Sequence, residues 1–199
     1  MRKEKLEEIN KLIEKYKTIK VENKHAVTGK SFLQISQADY TLANGETITR
    51  DTLTKNGIAG SSCVILPITE NNEVILVAQA RVNTKLGVGI ELPAGLREND
   101  EDPKEAALRE LQEETGYTTD NLIHLSESYQ DEGCSSATVN SYLALNCKKV
   151  SEQKLDSDEF LDIFYCTVPE VYEMMDKGYI MGGISQLALE KSRKYLKMN

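Results

Sequence analysis

Long apolar runs are missing from this 199-residue sequence. The longest, near Val64 to Pro67 and Val74 to Ala78, fall far short of the roughly 20 apolar residues needed to cross a bilayer. Met1 to Lys11 is dense in charge and lacks the apolar stretch of a secretory signal, so a cytoplasmic chain with no membrane partner is expected. An excess of positive charge is also missing: 24 Lys and Arg stand against 32 Asp and Glu, a formal net charge of −8. A basic surface for nucleic acid is therefore not expected, and a phosphorylated small molecule would have to be held with the help of cations. The four cysteines, Cys63, Cys134, Cys147 and Cys166, show no C-x2-C spacing, which speaks against zinc; Cys63 and Cys147 read as small hydrophobes within strands. The two histidines, His25 and His124, read as structural. Internal repeats and low-complexity linkers are absent.

What is present fits a globular protein: 40% apolar and 28% charged residues, in a chain long enough for one well-buried core with a small appendage. Leu6, Ile9, Leu12, Ile13, Tyr16 and Ile19 recur at spacings of three and four, which predicts an amphipathic helix from residue 2 to about 18. Its stripe needs a cover, from this chain or from a partner subunit. Ser31 to Thr41 and Thr47 to Leu53 are strand-like around Asn44-Gly45, a two-residue hairpin signal. After a loop at Asn56-Gly57, strands are expected at Ser62 to Ile68, Val74 to Arg81, Leu122 to Tyr129, Thr138 to Leu145 and Leu161 to Cys166, with a short extended piece ending at Glu91-Leu92-Pro93. Helices are expected at Pro169 to Lys177 and Ser185 to Leu196.

The sharpest local signal lies at 102–116. Asp102 is a good N-cap, Pro103 suits the first helical position, Glu105 completes a capping-box-like pattern, and Gly116 fits the left-handed position beyond the end. On a helix from Pro103 to Thr115, Glu113 and Glu114 flank Glu110 on one face, while Ala107, Leu108 and Leu111 fall on another that can be buried. Like charges at these spacings cost about 0.2–0.5 kcal/mol per pair. That cost is small enough for three glutamates to be merely a solvated face. The alternative is a site for hard divalent cations, which favour carboxylate oxygens.

The stretch around this helix, GLRENDEDPKEAALRELQEETGY from Gly95 to Tyr117, resembles the Nudix box, G-x5-E-x7-R-E-U-x-E-E-x-G-U with U bulky and aliphatic. Gly95, Glu101, Arg109, Glu110, Leu111, Glu113, Glu114 and Gly116 match at the required spacing, and Tyr117 departs at the last position. The resemblance implies an α/β (α+β) fold: an α/β/α sandwich with a mixed sheet, here residues 58–199, behind a small antiparallel β unit preceded by a helix, residues 1–57. It implies that Glu110, Glu113 and Glu114, with the backbone oxygen of Ala94, hold Mg²⁺ or Mn²⁺. Glu101 would support them, Arg109 would orient them by a salt bridge, and Gly95 would permit the turn at Ala94.

Further likeness points to the ADP-ribose pyrophosphatase branch. It is carried by Glu91-Leu92-Pro93-Ala94-Gly95, Gln79-Ala80-Arg81, the N-terminal hairpin and Asp158-Glu159-Phe160-Leu161-Asp162. By that likeness Arg50, Arg81 and Glu91 would meet the substrate, and Glu159 would bind metal or serve as base for the attacking water, with Asp158 or Glu132 as alternatives. Tyr40 could stack on a base, though a strand tyrosine ordinarily packs. The partner would be a nucleoside diphosphate derivative such as ADP-ribose, cut to a nucleoside monophosphate and a sugar phosphate, in a homodimer joined through residues 1–57. Asp131-Glu132-Gly133 and Gly182-Gly183 depart from the branch's usual pattern and bear on the identity of that derivative. The competing readings are a nucleoside triphosphate pyrophosphohydrolase and a non-catalytic nucleotide-sugar sensor.

Overall fold

The computed structural model describes residues 1–19, 22, 31–55, 59–98, 100–157 and 159–196. The first helix, α1 (Lys3–Lys17), turns Ile9, Ile13 and Tyr16 into the same core as Leu76, Phe164, Val171 and Met174. Burying each large apolar side chain contributes about 1.5–3 kcal/mol, so the stripe is covered within the chain and gives no reason of its own for a partner. The helix is also fastened at its start: Arg2 makes a two-pronged pair with Glu170 at 2.7 and 3.0 Å.

Two strands, β1 (Leu33–Thr41) and β2 (Thr47–Lys55), form a separate antiparallel sheet. The register pairs Thr41 with Thr47, and Leu42 N–H donates to Glu46 O at 2.7 Å. The connection is thus a three-residue loop with Gly45 left-handed (φ 85°), where the sequence suggested a two-residue turn. The Asn56-Gly57 loop and His25 lie outside the described residues.

The main sheet holds β3 (Ser62–Thr69), β4 (Glu73–Ala80), β5 (Val88–Glu91), β6 (Ala94–Leu96), β7 (Tyr117–Thr118), β8 (Asn121–Tyr129), β9 (Thr138–Lys149) and β10 (Leu161–Thr167). Its order is β10-β4-β3-β9-β7, with β5 on β4, β6 on β3 and β8 on β9. β3 and β9 run parallel and the other pairs antiparallel, so the sheet is mixed. Every residue of β3 is buried, as expected for a strand covered on both faces. On one face lie α1, α3 (Val168–Asp176) and α4 (Gly183–Ser192). On the other lies α2 (Pro103–Thr115), whose Ala106, Ala107 and Leu111 pack on Cys63, Ile65, Tyr142, Ala144 and Cys147. This is the expected α/β/α sandwich.

The short strands β6 and β7 were not anticipated from the sequence, and the other differences sit at element ends. β9 runs on to Lys149 past Asn146, which takes φ 54°. α3 begins at Val168 because Thr167 and Glu170 form a full capping box. α4 starts at Gly183 and stops at Ser192. Cys63, Cys147 and Cys166 are buried free thiols and Cys134 is half-buried.

Candidate active site

The box begins in β6, whose three residues pair with β3. Gly95 sits there opposite Cys63 in ordinary extended backbone, so a turn is not what requires glycine. The requirement is close approach: a Cβ at Gly95 would fall 2.0–2.2 Å from the carboxylate atoms of Glu110. The helix that carries Glu110 starts at Asp102, whose side chain accepts from Lys104 N–H at 2.8 Å. Glu105, expected to complete that cap, is exposed and is not bonded to Asp102 among the described contacts. The helix ends at Gly116, left-handed at φ 77°, where a Cβ would lie 2.2 Å from Ser151 O.

The three box glutamates are not equivalent, although the helical wheel places them together. Glu110 and Glu114 are turned into the protein, 7% and 2% exposed, while Glu113 is half-buried. Burial pushes the Glu110 carboxyl up to about 7, against the pull of Arg109. Burial, and then repulsion from Glu110, hold Glu114 well above the usual carboxylate range, although Ala94 N–H donates to it at 3.1 Å. Glu159 adds to the repulsion on both, and Glu91 to that on Glu114.

Arg109 organises the acids around it. Its Nε and Nη2 hold both oxygens of Glu101 at 2.9 Å, its Nη1 reaches Glu110 at 2.7 Å and Glu113 at 3.0 Å, and its Nη2 reaches Leu96 O at 3.0 Å. The planar fork of arginine makes such simultaneous bonding feasible where an ammonium would not. The bond from Arg109 also holds the Glu101 carboxyl below its ordinary value.

Arg81 and Glu91, expected to meet a substrate, meet each other in a two-pronged pair at 2.9 and 2.7 Å. Arg81 also feels the charges of Glu114 and Glu159. The fold therefore brings Arg81, Glu91, Glu110, Glu114 and Glu159 to one side of the sheet. Glu159 accepts from Asp156 N–H at 3.1 Å, and Asp158 lies outside the described residues. Arg50 is elsewhere. With Tyr40, Tyr129 and Glu132 it lines a groove of about 800 Å³ between the hairpin and residues 129–136, and no bond joins it to the box among the described contacts. His124 bonds Asn140 at 3.1 Å and packs edge-on to Tyr142, a structural setting.

One feature escaped the sequence reading. Residues 151–154 fold onto the end of α2, with Lys154 N–H donating to Glu113 O at 2.8 Å and Gln153 to Glu114 O at 2.7 Å. A groove of about 420 Å³ results, lined by Arg109, Gln112, Glu113, Ser151, Glu152 and Lys154. These contacts join distant stretches of chain; the glycine at 116, which lets Ser151 approach, was the sole local signal.

Among the described residues no three carboxylate, imidazole or thiol groups converge tightly enough to form a closed metal cage. The donor chemistry nevertheless suits a hard divalent ion. Among the described residues, the ion pairs made by Glu91, Glu101, Glu110 and Glu113 are with Arg81 and Arg109, and Glu110 and Glu114 are buried. Mg²⁺ commonly takes one or two carboxylates and completes its shell with water and phosphate oxygens.

Comparison with known proteins agrees with this geometry. Residues 60–181 match the NUDIX domain, and the chain belongs to the Nudix family. It is a Nudix hydrolase whose relatives include ADP-ribose pyrophosphatases. It is 30% identical over 183 residues to a methanol dehydrogenase activator of Bacillus methanolicus, covering 92% of this chain and 94% of that protein. It is 29% identical over 153 residues to an ADP-ribose pyrophosphatase of Bacillus subtilis, covering 76% and 80%. A solved structure described as an ADP compounds hydrolase shares the fold, with a TM-score of 0.74 and 21% identity over 87% of this chain and 91% of that one. Among the described residues no helix is long and apolar enough to cross a membrane.

Proposed function

We propose that this chain hydrolyses the pyrophosphate bond of ADP-ribose or a related nucleotide sugar, giving a nucleoside monophosphate and a sugar phosphate, with Mg²⁺ or Mn²⁺ held at Glu110, Glu113, Glu114 and the backbone oxygen of Ala94. The observation that carries this reading is the crowding of carboxylates around the buried pair Glu110 and Glu114, of which the described ion pairs reach only Glu110, through Arg109. Such a cluster is costly alone and becomes favourable with cations. Bound divalent ions would supply charge neutralisation and polarisation at the phosphoryl oxygens. Arg109 would keep Glu110 and Glu113 in place as substrate enters. Glu159 would accept the proton of the attacking water, and Arg81 would turn its fork from Glu91 toward a phosphate or ribose oxygen.

The test is incubation with Mg²⁺ or Mn²⁺ and a panel of nucleotide sugars, dinucleotides and nucleoside triphosphates, with products identified by mass. ADP-ribose yielding AMP and ribose 5-phosphate supports the reading. Release of pyrophosphate from triphosphates alone would replace it, and no cleavage of any member would overturn it. The Bacillus methanolicus relative, matched almost end to end, is named a methanol dehydrogenase activator, so a second reading is that this chain activates a dehydrogenase.

The homodimer is proposed from the hairpin alone. Leu33 and Ile35 share one face of β1 and are 50% and 75% exposed, an apolar patch suited to a second copy. The groove beside Arg50 would then join the second subunit's site. Sedimentation showing a monomer at micromolar concentration would contradict it.

A further inference from the structure

We propose that Tyr16, on the N-terminal helix, is a positioning residue for the reaction: with Lys15 it fixes the start of β10 and thereby the place of Glu159 beside Glu110 and Glu114. The inference rests on the reading of Glu159 as the base.

Among the described residues β10 is the last strand of the sheet and bonds only to β4. Its register begins at Leu161 opposite Gln79, a long bond from Ala80 N–H to Phe160 O at 3.4 Å precedes it, and Glu159 is the next residue before that. A strand held on one side only needs a further brace at its entry, and α1 supplies it. The Tyr16 hydroxyl faces Ala78 O at 2.7 Å and Asp162 Oδ2 at 3.1 Å. Ala78 and Asp162 are register partners, so one hydroxyl spans the β4–β10 pair. Lys15 Nζ donates to the same Asp162 oxygen at 2.5 Å. The Phe160 ring stands edge-on to Tyr16, with centroids 5.9 Å apart, and the Lys15 ammonium sits 5.2 Å from its centre.

Strand alternation gives this brace a direction. Asp162, Phe164 and Cys166 share one face of β10, and Phe164 and Cys166 pack in the core that α1 joins. Tyr165, on the opposite face, reaches Tyr117 beyond α2 at 3.1 Å. Phe160 continues the α1 side, so alternation turns Glu159 toward the other face, the one that carries α2 and its box glutamates. Loosening Asp162 and Phe160 would let the segment turn and carry Glu159 off its mark. Misplacement of a reacting group by about 1 Å costs on the order of 10²-fold in rate, and partial loosening costs less.

The test uses the full chain, Mg²⁺ and the nucleotide derivative most rapidly cleaved in the panel above. Tyr16→Phe keeps the ring and its packing on Phe160 but removes both hydroxyl contacts. The expected result is a fall in kcat of about tenfold with KM changed less than twofold. In a Glu159→Gln background the same change should have no further effect, because a residue acting through another is silent once that other is gone. Lys15→Met, at a half-exposed position on the surface of α1, should give a smaller fall that vanishes in the same background. An unchanged kcat in both variants, or equal losses with and without Glu159, would overturn the proposal while leaving Glu159 as base. Glu159→Gln with normal turnover would overturn both at once.

Discussion

The carboxylate of Glu110 occupies the space that a side chain on Gly95 would need: a Cβ there would stand 2.0 Å from its carboxyl carbon. The glycine of β6 and the glutamate of α2 are thus a matched pair, fifteen positions apart in the chain. Gly95→Ala should therefore act on the site more than on the fold. The Glu110 head is the far end of a flexible side chain and must swing aside, giving up its bond to Arg109, so a moderate fall in the thermal midpoint accompanies the loss of the site. Displacing one ligand should weaken metal use and turnover by about 10–100-fold. A variant with normal metal dependence would show that Glu110 need not stay where the structure places it.

Arg109 joins Glu101, Glu110, Glu113 and Leu96 O through one guanidinium. Arg109→Lys keeps the charge and loses the fork. We expect turnover to fall about 10–100-fold, with a higher Mg²⁺ concentration needed for half-maximal rate. If the lysine variant matches the parent at all metal concentrations, charge alone is sufficient and the orienting role fails.

The anchor of the N-terminal helix should show in acid. The Arg2 guanidinium, aided by bonds from Thr167, holds the Glu170 carboxyl down to about 2, against burial. An unfolded glutamate titrates near about 4.3. The folded value is the lower one, so the unfolded chain takes up the proton first. The stability contributed is fully present above about pH 4.3 and is lost as pH falls through about 2. Arg2→Ala should lower the urea midpoint at pH 6 and lower it less at pH 3. A gap between the two proteins that stays constant with pH would refute the assignment.

The box helix was legible in the sequence because its signals are local: Asp102, Pro103 and Gly116 mark its ends, and Ala107 and Leu111 its buried face, although Leu108, expected beside them, is only half-buried and Ala106 is buried instead. The burial of Glu110 and Glu114 was not legible, since the helical wheel cannot say which neighbour covers a carboxylate. It depends on β6 folding back over α2, and β6 is a three-residue strand with no periodicity to detect. The stripe of α1 was visible, but what covers it was not: Ile9, Ile13 and Tyr16 pack on residues more than fifty positions away. Likewise, Arg81 and Glu91 each looked free for substrate, and only the pairing of β4 with β5 sets them against one another.

The most direct test of the account is a titration of Mn²⁺, followed by calorimetry, into the parent protein and into Glu110→Gln and Glu114→Gln, with an uncleavable ADP-ribose analogue present. The account predicts saturable uptake by the parent and none by either variant. Turnover of both variants should fall about 10²–10³-fold, the loss of several kcal/mol of charge stabilisation, while their metal-free folds stay at least as stable. Undiminished Mn²⁺ uptake and near-normal turnover in both variants would contradict it.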